Sequence, residues 1–197
     1  MLPMNELYPI FLKTEQLRFL IVGGGNVALE KLEFLIKSSP NAEITMVAPY
    51  YREATLDFVT NKPNIKLIHR TFNSFFLRGK HIVMATTDDP VVNQKIHYFC
   101  KKKRILVNVA DTPDLCDFYM GGIVTKGNLK IGISTNGKSP TLAKRIRQFL
   151  EELLPEEIND LLDTLQNYRK TLDGDFEFKV NEMNKMTKSI LERNDTN

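Results

Sequence analysis

Phe19-Leu20-Ile21-Val22-Gly23-Gly24-Gly25-Asn26-Val27-Ala28 is the stretch that decides the fold. An apolar run enters a glycine group, and the residues beyond it place apolar side chains at Ala28, Leu32, Leu35 and Ile36, the spacing of one helix face. The order is strand, glycine turn, helix. Within it, Gly23-x-Gly25-x-x-Ala28 has the G-x-G-x-x-A form of the dinucleotide fingerprint. The small residues matter for steric reasons. Gly23 permits the tight turn, Gly25 lets backbone approach a pyrophosphate, and Ala28 lets the helix pack closely on the sheet. Phosphates then sit at the helix N-terminus, where unpaired amides and the positive end of the helix dipole converge. A lone match of this kind is weak; flanked by strand and helix it reads as a nucleotide site.

Working outward, Ile44 to Ala48 reads as a second strand ended by Pro49, which cannot donate to a sheet ladder. Ile65 to Arg70 and His81 to Thr86 read as two more, and Asp88-Asp89-Pro90 combines a capping carboxylate with a proline at the first helical position. That helix runs to about Lys101, and Ile105 to Val109 adds a strand. The alternation predicts an α/β domain over residues 1–113, a doubly wound Rossmann-like parallel sheet. The pattern then changes. Gly122 to Lys126 and Leu129 to Ser134 read as a hairpin turning at Lys126-Gly127-Asn128, and Ser139-Pro140 starts a helix with apolar positions Ala143, Ile146, Leu150 and Leu153, giving a small α+β segment over 114–153. Two more apolar stripes, Ile158-Leu161-Leu162-Leu165 and Val180-Met183-Met186-Ile190, predict a helical C-terminal domain over 154–197, with Glu192 to Asn197 frayed.

Composition sets the class. Hydrophobic residues at 42% and charged residues at 26% match ordinary globular domains, which argues against disorder. The opening residues lack the positive flank and apolar core of a signal peptide, and no segment has the roughly 18 apolar residues of a bilayer span, so no membrane partner and a cytoplasmic location are expected. Net charge +3 and pI near 8.8 suit an acidic substrate and fall short of a nucleic-acid-binding face. The dense run Lys101-Lys102-Lys103-Arg104 reads as a solvated helix end. Cys100 and Cys116 have neither C-x-x-C spacing nor enough partners for a disulfide framework, and read as reduced.

Two further loops should share the carboxyl edge of the sheet, where open α/β sheets bind ligands. Ala85-Thr86-Thr87-Asp88-Asp89 is one, to be read either as a ligand loop or as a helix cap. Asn108-Val109-Ala110-Asp111-Thr112-Pro113 is the other: Asp111 is a candidate base near the nicotinamide end of a dinucleotide, or only a cap on the turn before Pro113. The acid that usually reads the ribose at the end of the second strand is missing, for the chain there is Val47-Ala48-Pro49-Tyr50 with Arg52 close by, leaving NAD against NADP open. No His, Cys or carboxylate cluster has metal-ligand spacing, so no metal ligands are expected; His69, His81 and His97 read as ordinary strand and helix residues.

Ile21 to Ala28, Ala85 to Asp89, Asn108 to Asp111 and Ser139-Pro140 occur in the order and spacing of the precorrin-2 dehydrogenases of the siroheme synthase family, which the chain resembles over residues 5–155. The resemblance implies NAD-dependent oxidation of precorrin-2 to sirohydrochlorin by a homodimer whose middle segment, 114–153, forms the interface. It implies a cofactor site of Gly23, Gly24, Gly25, Asn26, Val27, Ala28, Pro49, Tyr50, Thr86, Thr87 and Asp88, with Asp111 as the catalytic residue. Some members also insert Fe²⁺ into sirohydrochlorin, making that ion a second candidate substrate. Lys138, Lys144, Arg145 and Arg147 are expected to meet either tetrapyrrole carboxylates or solvent. The chain departs from the pattern at Met120-Gly121-Gly122 and at Thr135, where some relatives carry a phosphorylatable serine. The alternative from another class is a dinucleotide-sensing regulator without turnover.

Overall fold

In the computed structural model, which describes residues 4–191, β1 (Arg18–Val22) is the central strand of a five-stranded parallel sheet. β2 (Glu43–Ala48) and β3 (Ile65–His69) lie to one side of it, β4 (Ile82–Ala85) and β5 (Leu106–Val109) to the other, in the order β3-β2-β1-β4-β5. Val22 pairs with Val47 and with Ala85, which in turn pairs with Val109, so four strands end level and their following loops leave at one edge.

Side chains alternate across the sheet with period two. Phe19, Ile21, Met46 and Met84 point to one face and pack with Ala28, Leu32 and Leu35 of α1 (Asn26–Ser38). Leu20, Val22, Val83, Ala85 and Val107 point to the other and pack with Ile96 and Cys100 of α3 (Pro90–Lys103). Helices thus cover both faces, which is the doubly wound architecture expected. Burial pushes the Cys100 thiol up to about 12. It does the same to the Tyr51 hydroxyl, which donates to the Ile68 carbonyl at 3.0 Å and is likewise raised to about 12.

The local start signals work as read. Asp89 Oδ1 accepts from the Val91 and Val92 amides at 2.8 and 3.2 Å, ahead of Pro90. A short α2 (Glu53–Val59) is not legible in the sequence pattern, and a single 3₁₀ turn at Ser74–Leu77 lies between β3 and β4.

The chain divides into two units, the first Glu6–Met120. Its end lies beyond the expected 113 because the following residues are stitched to β5. Asp117 accepts from the Val107 amide at 3.1 Å and returns its own amide to the Val107 carbonyl at 2.8 Å, while Asn108 Nδ2 donates to the Phe118 carbonyl at 2.9 Å.

The second unit holds the hairpin of β6 (Gly122–Lys126) and β7 (Leu129–Ile133), paired antiparallel, with α4 (Pro140–Leu153), α5 (Ile158–Thr171) and α6 (Phe176–Leu191). Hairpin, α4 and the last two helices fall into one unit, where the sequence suggests a division near 153. Gly127 turns the hairpin with φ +54, and Asn159 of α5 accepts from the Asn128 amide at 3.0 Å. Ser139 caps α4, accepting from the Leu142 amide at 3.2 Å. The expected frayed end, Glu192 to Asn197, lies outside the described residues, as does the side chain of Ile190.

Candidate active site

The strand order reverses between β1 and its neighbours β2 and β4, which makes the carboxyl edge there a topological switch point. A cavity of about 1010 Å³ opens at that edge, lined by the loops after all five strands. It is at the upper end of the roughly 300–1,000 Å³ usual for ligand pockets.

The three glycines after β1 are glycine for different reasons. Gly23 has φ +132, and a Cβ there would lie 2.5 Å from Thr86 Oγ1 and 2.8 Å from the Thr86 carbonyl oxygen. A Cβ on Gly24 would overlap the Tyr50 carbonyl oxygen. At Gly25 the backbone is extended, open to any residue, and a Cβ would meet nothing within 4 Å. The protein itself therefore demands glycine at 23 and 24, whereas at 25 the space lies free in front of the helix. Gly25 is also the N-cap of α1 and offers no side-chain acceptor to the first-turn amides. Open space, amides without a side-chain cap and the helix dipole are what a pyrophosphate requires, so the residues present fit a dinucleotide.

The other walls are held firmly. Thr86 is buried and its hydroxyl donates to the Val22 carbonyl at 2.8 Å, tying the β4 loop to β1. Thr87 donates to Asn93 Oδ1 at 2.8 Å, and Asn93 Nδ2 returns a bond to the Thr87 carbonyl at 2.9 Å. With Asp89 serving as the cap, Asp88 stands exposed on the cavity wall.

Asp111 lies on the loop after β5, with φ +55, in the left-handed region that aspartate tolerates better than most residues. It lines the same cavity, is exposed, and forms no hydrogen bond or ion pair among the described residues. The cap position before Pro113 is Thr112, which makes no side-chain cap bond, so Asp111 does not cap that turn. Its loop is anchored at both ends: the Ala110 amide donates to the Ala85 carbonyl at 2.9 Å, and Cys116 Sγ sits 3.3 Å from the Val109 amide and 3.2 Å from its carbonyl oxygen.

Of the residues expected at the site, Gly23, Gly24, Gly25, Asn26, Val27, Pro49, Tyr50, Thr86, Thr87, Asp88 and Asp111 all line this cavity. Ala28 does not. It is fully buried among Phe19, Leu32 and their neighbours, so its part is to seat the helix on the sheet. Arg52, which the sequence sets near the missing ribose acid, also lines the cavity, as do Thr71, Phe72, Asn93, Gln94 and Leu115, which the sequence motifs do not mark as site residues. Asn93 and Gln94 face it because a helix turns, and Thr71 and Phe72 because β3 ends beside β2, neither of which a motif reports.

A family model described as "Putative NAD(P)-binding" matches residues 10–122. The chain belongs to that NAD(P)-binding family. A second model, sirohaem biosynthesis protein central, matches residues 126–153, which span β7 and α4. Among curated proteins, the siroheme synthase of Psychrobacter sp. (strain PRwf-1) is 37% identical over 190 residues, covering 89% of this chain and 38% of its own length. The siroheme synthase of Pseudoalteromonas atlantica is 36% identical over 171 residues, covering 87% of this chain and 36% of its own. The chain thus spans little more than a third of the length of these relatives. Among solved structures, SirC, a precorrin-2 dehydrogenase, matches with a TM-score of 0.68 at 24% identity over 94% of this chain and 90% of that one, a shared fold.

Outside the cavity, the histidines are occupied with structure where they bond at all. His81 Nδ1 accepts from the Arg18 amide at 3.0 Å and His69 stands edge-on to the Tyr51 ring. Among the described residues no three His, Cys, Asp or Glu side chains converge as metal ligands, and no helix is long and apolar enough to cross a membrane.

Proposed function

We propose that this chain oxidises precorrin-2 to sirohydrochlorin with NAD⁺ as hydride acceptor, as the cytoplasmic dehydrogenase step of siroheme or cobalamin synthesis. The observation that carries the reading is the presence of Asp111, a carboxylate without internal partners, in the same cavity as the glycine loop at the switch point. The names of the curated relatives and of the solved neighbour supply the substrate class.

The residues divide the work. Gly23 and Gly24 bring the backbone round, Gly25 leaves the phosphates room, and the amides at the start of α1 bind them. Pro49 and Tyr50 flank the adenosine side, and Thr86, Thr87 and Asp88 form the wall across β1 from it. When bound, the nicotinamide supplies the hydride acceptor. Dehydrogenation removes a hydride and a proton from the substrate, and Asp111 takes the proton. Insertion of Fe²⁺ into sirohydrochlorin also needs a proton acceptor, for the pyrrole N–H groups, and we propose it as a second reaction of the same carboxylate.

We further propose a homodimer with residues 114–153 as its interface. Leu142, Ile146, Phe149 and Leu153 form one stripe along α4 and are 37–63% exposed within the monomer, an apolar face that a second copy would bury.

The test is absorbance of anaerobically generated precorrin-2 with purified protein, with and without NAD⁺, for wild type and Asp111→Ala. NAD⁺-dependent formation of sirohydrochlorin that falls about 100-fold or more in the variant supports reaction and residue together. Dinucleotide binding without turnover leaves a sensor in its place. Fe²⁺ added to sirohydrochlorin reads the second reaction: a rate equal to the spontaneous one removes it.

A further inference from the structure

The end of β2 is where a dinucleotide site reads the ribose. A carboxylate there bonds the 2′-hydroxyl of NAD and repels the 2′-phosphate of NADP, whereas an arginine nearby accepts that phosphate. In this chain β2 ends at Ala48, and the next residues facing the cavity are Pro49 and Tyr50, neither of them an acid. The carboxylates that do line the cavity are Asp88, Asp89 and Asp111, all from the loops after β4 and β5, across β1 from β2.

Arg52 takes the position instead. Its amide donates to the Gly24 carbonyl at 3.1 Å, which fixes its backbone against the glycine loop. Its side chain is exposed, lines the cavity, and forms no hydrogen bond or ion pair among the described residues. Tyr50, 73% exposed, lines the same wall. The adenosine end of the cavity therefore carries an unpaired guanidinium and no lining carboxylate. A guanidinium matches phosphate with a fork of donors, and little else at this end calls for one.

We infer that Arg52 reads the ribose and admits a 2′-phosphate, so that NADP⁺ binds about as tightly as NAD⁺ or more tightly. This rests on the dinucleotide reading of the cavity given above, and the probes separate the two. Calorimetry on the full chain would compare NAD⁺, NADP⁺, 5′-AMP and adenosine 2′,5′-bisphosphate, with wild type and Arg52→Ala, circular dichroism confirming that the variant is folded. NADP⁺ should bind wild type no more than about threefold weaker than NAD⁺, and the bisphosphate more tightly than 5′-AMP. Arg52→Ala should weaken NADP⁺ and the bisphosphate by about tenfold or more while changing NAD⁺ and 5′-AMP less than about threefold. Added salt should weaken the 2′-phosphorylated ligands the more steeply. NAD⁺ binding more than about tenfold tighter than NADP⁺, or an equal loss of both in the variant, overturns the inference while sparing the dinucleotide site. If no ligand of the four binds, the site and the inference fall together.

Discussion

The two units differ in how much of their apolar surface they bury by themselves. In Glu6–Met120 both faces of the sheet are closed by helices, and side chains such as Leu20, Ile21, Leu32 and Ile96 are fully enclosed. From Gly121 onward, Val124 and Ala143 are the only buried apolar residues among those described, while Leu142, Phe149, Leu153, Phe176 and Phe178 stand exposed. A parallel sheet between two helix layers completes its own core. A two-stranded hairpin with amphipathic helices has no second layer of comparable area, and would gain one through the proposed association. The first unit should hold its site whether or not a partner is present; the second should not hold its structure as well alone.

The hardest blow to this contrast falls on the glycine loop. Gly24→Ala drives a methyl into the Tyr50 carbonyl and should destabilise the first unit by about 3 kcal/mol. Gly25→Ala has room and should leave the melting temperature near wild type while weakening the dinucleotide by about tenfold or more, roughly the loss of its close approach to the phosphates. Thermal unfolding and calorimetry on the pair decide it; equal melting temperatures for the two variants would show that the loop yields to a side chain.

Next in size is Phe149→Glu, which puts a charge in the α4 stripe and should weaken self-association by about 2 kcal/mol, close to thirtyfold, in sedimentation equilibrium. Dinucleotide affinity should be unchanged, since the cavity is built wholly from the first unit. A variant that associates like wild type sinks the proposed interface. A smaller effect comes from Asp89→Ala, which frees the Val91 and Val92 amides and should lower stability by about 1 kcal/mol in urea denaturation.

The mildest test is alkaline. Cys100 and Tyr51 are held protonated by burial, both with folded values near 12 and so above their unfolded ones. The folded state binds more protons than the unfolded state between about pH 9 and 12, so stability declines as pH rises through that window and is fully present below it. Denaturation at pH 8 and pH 10 should show the loss, and Cys100 should resist alkylation at pH 8 in the folded protein. Stability that rises with pH would contradict the enclosed first core.

Much of the first unit is legible in the sequence because its signals are local. The apolar run before Gly23 reads as a strand without reference to anything distant, as do the proline after a capping acid at Asp89 and the serine before Pro140. What stays hidden is short or depends on partners. α2 is two turns long and carries little period, and Asn93 is a polar residue in a helix until its bonds to Thr87 are seen. The unit boundary at Met120 follows from bonds between β5 and residues 116–118, which no compositional change announces.

The sequence by itself determined the alternation of strands and helices, the glycine turn with its helix start, the hairpin, and the loops on which Thr86 and Asp111 stand, because periodicity, capping and turn chemistry act over a few residues. The tertiary structure alone decided the strand order β3-β2-β1-β4-β5, and with it that five loops meet in one cavity. It decided, too, that Gly23 and Gly24 answer to neighbouring backbone while Gly25 answers to open space, that Ala28 is enclosed without facing the cavity, and that the Arg52 side chain lines that cavity. Those facts depend on which surfaces a folded chain brings within a few ångströms of one another, and spacing along the chain carries no record of that.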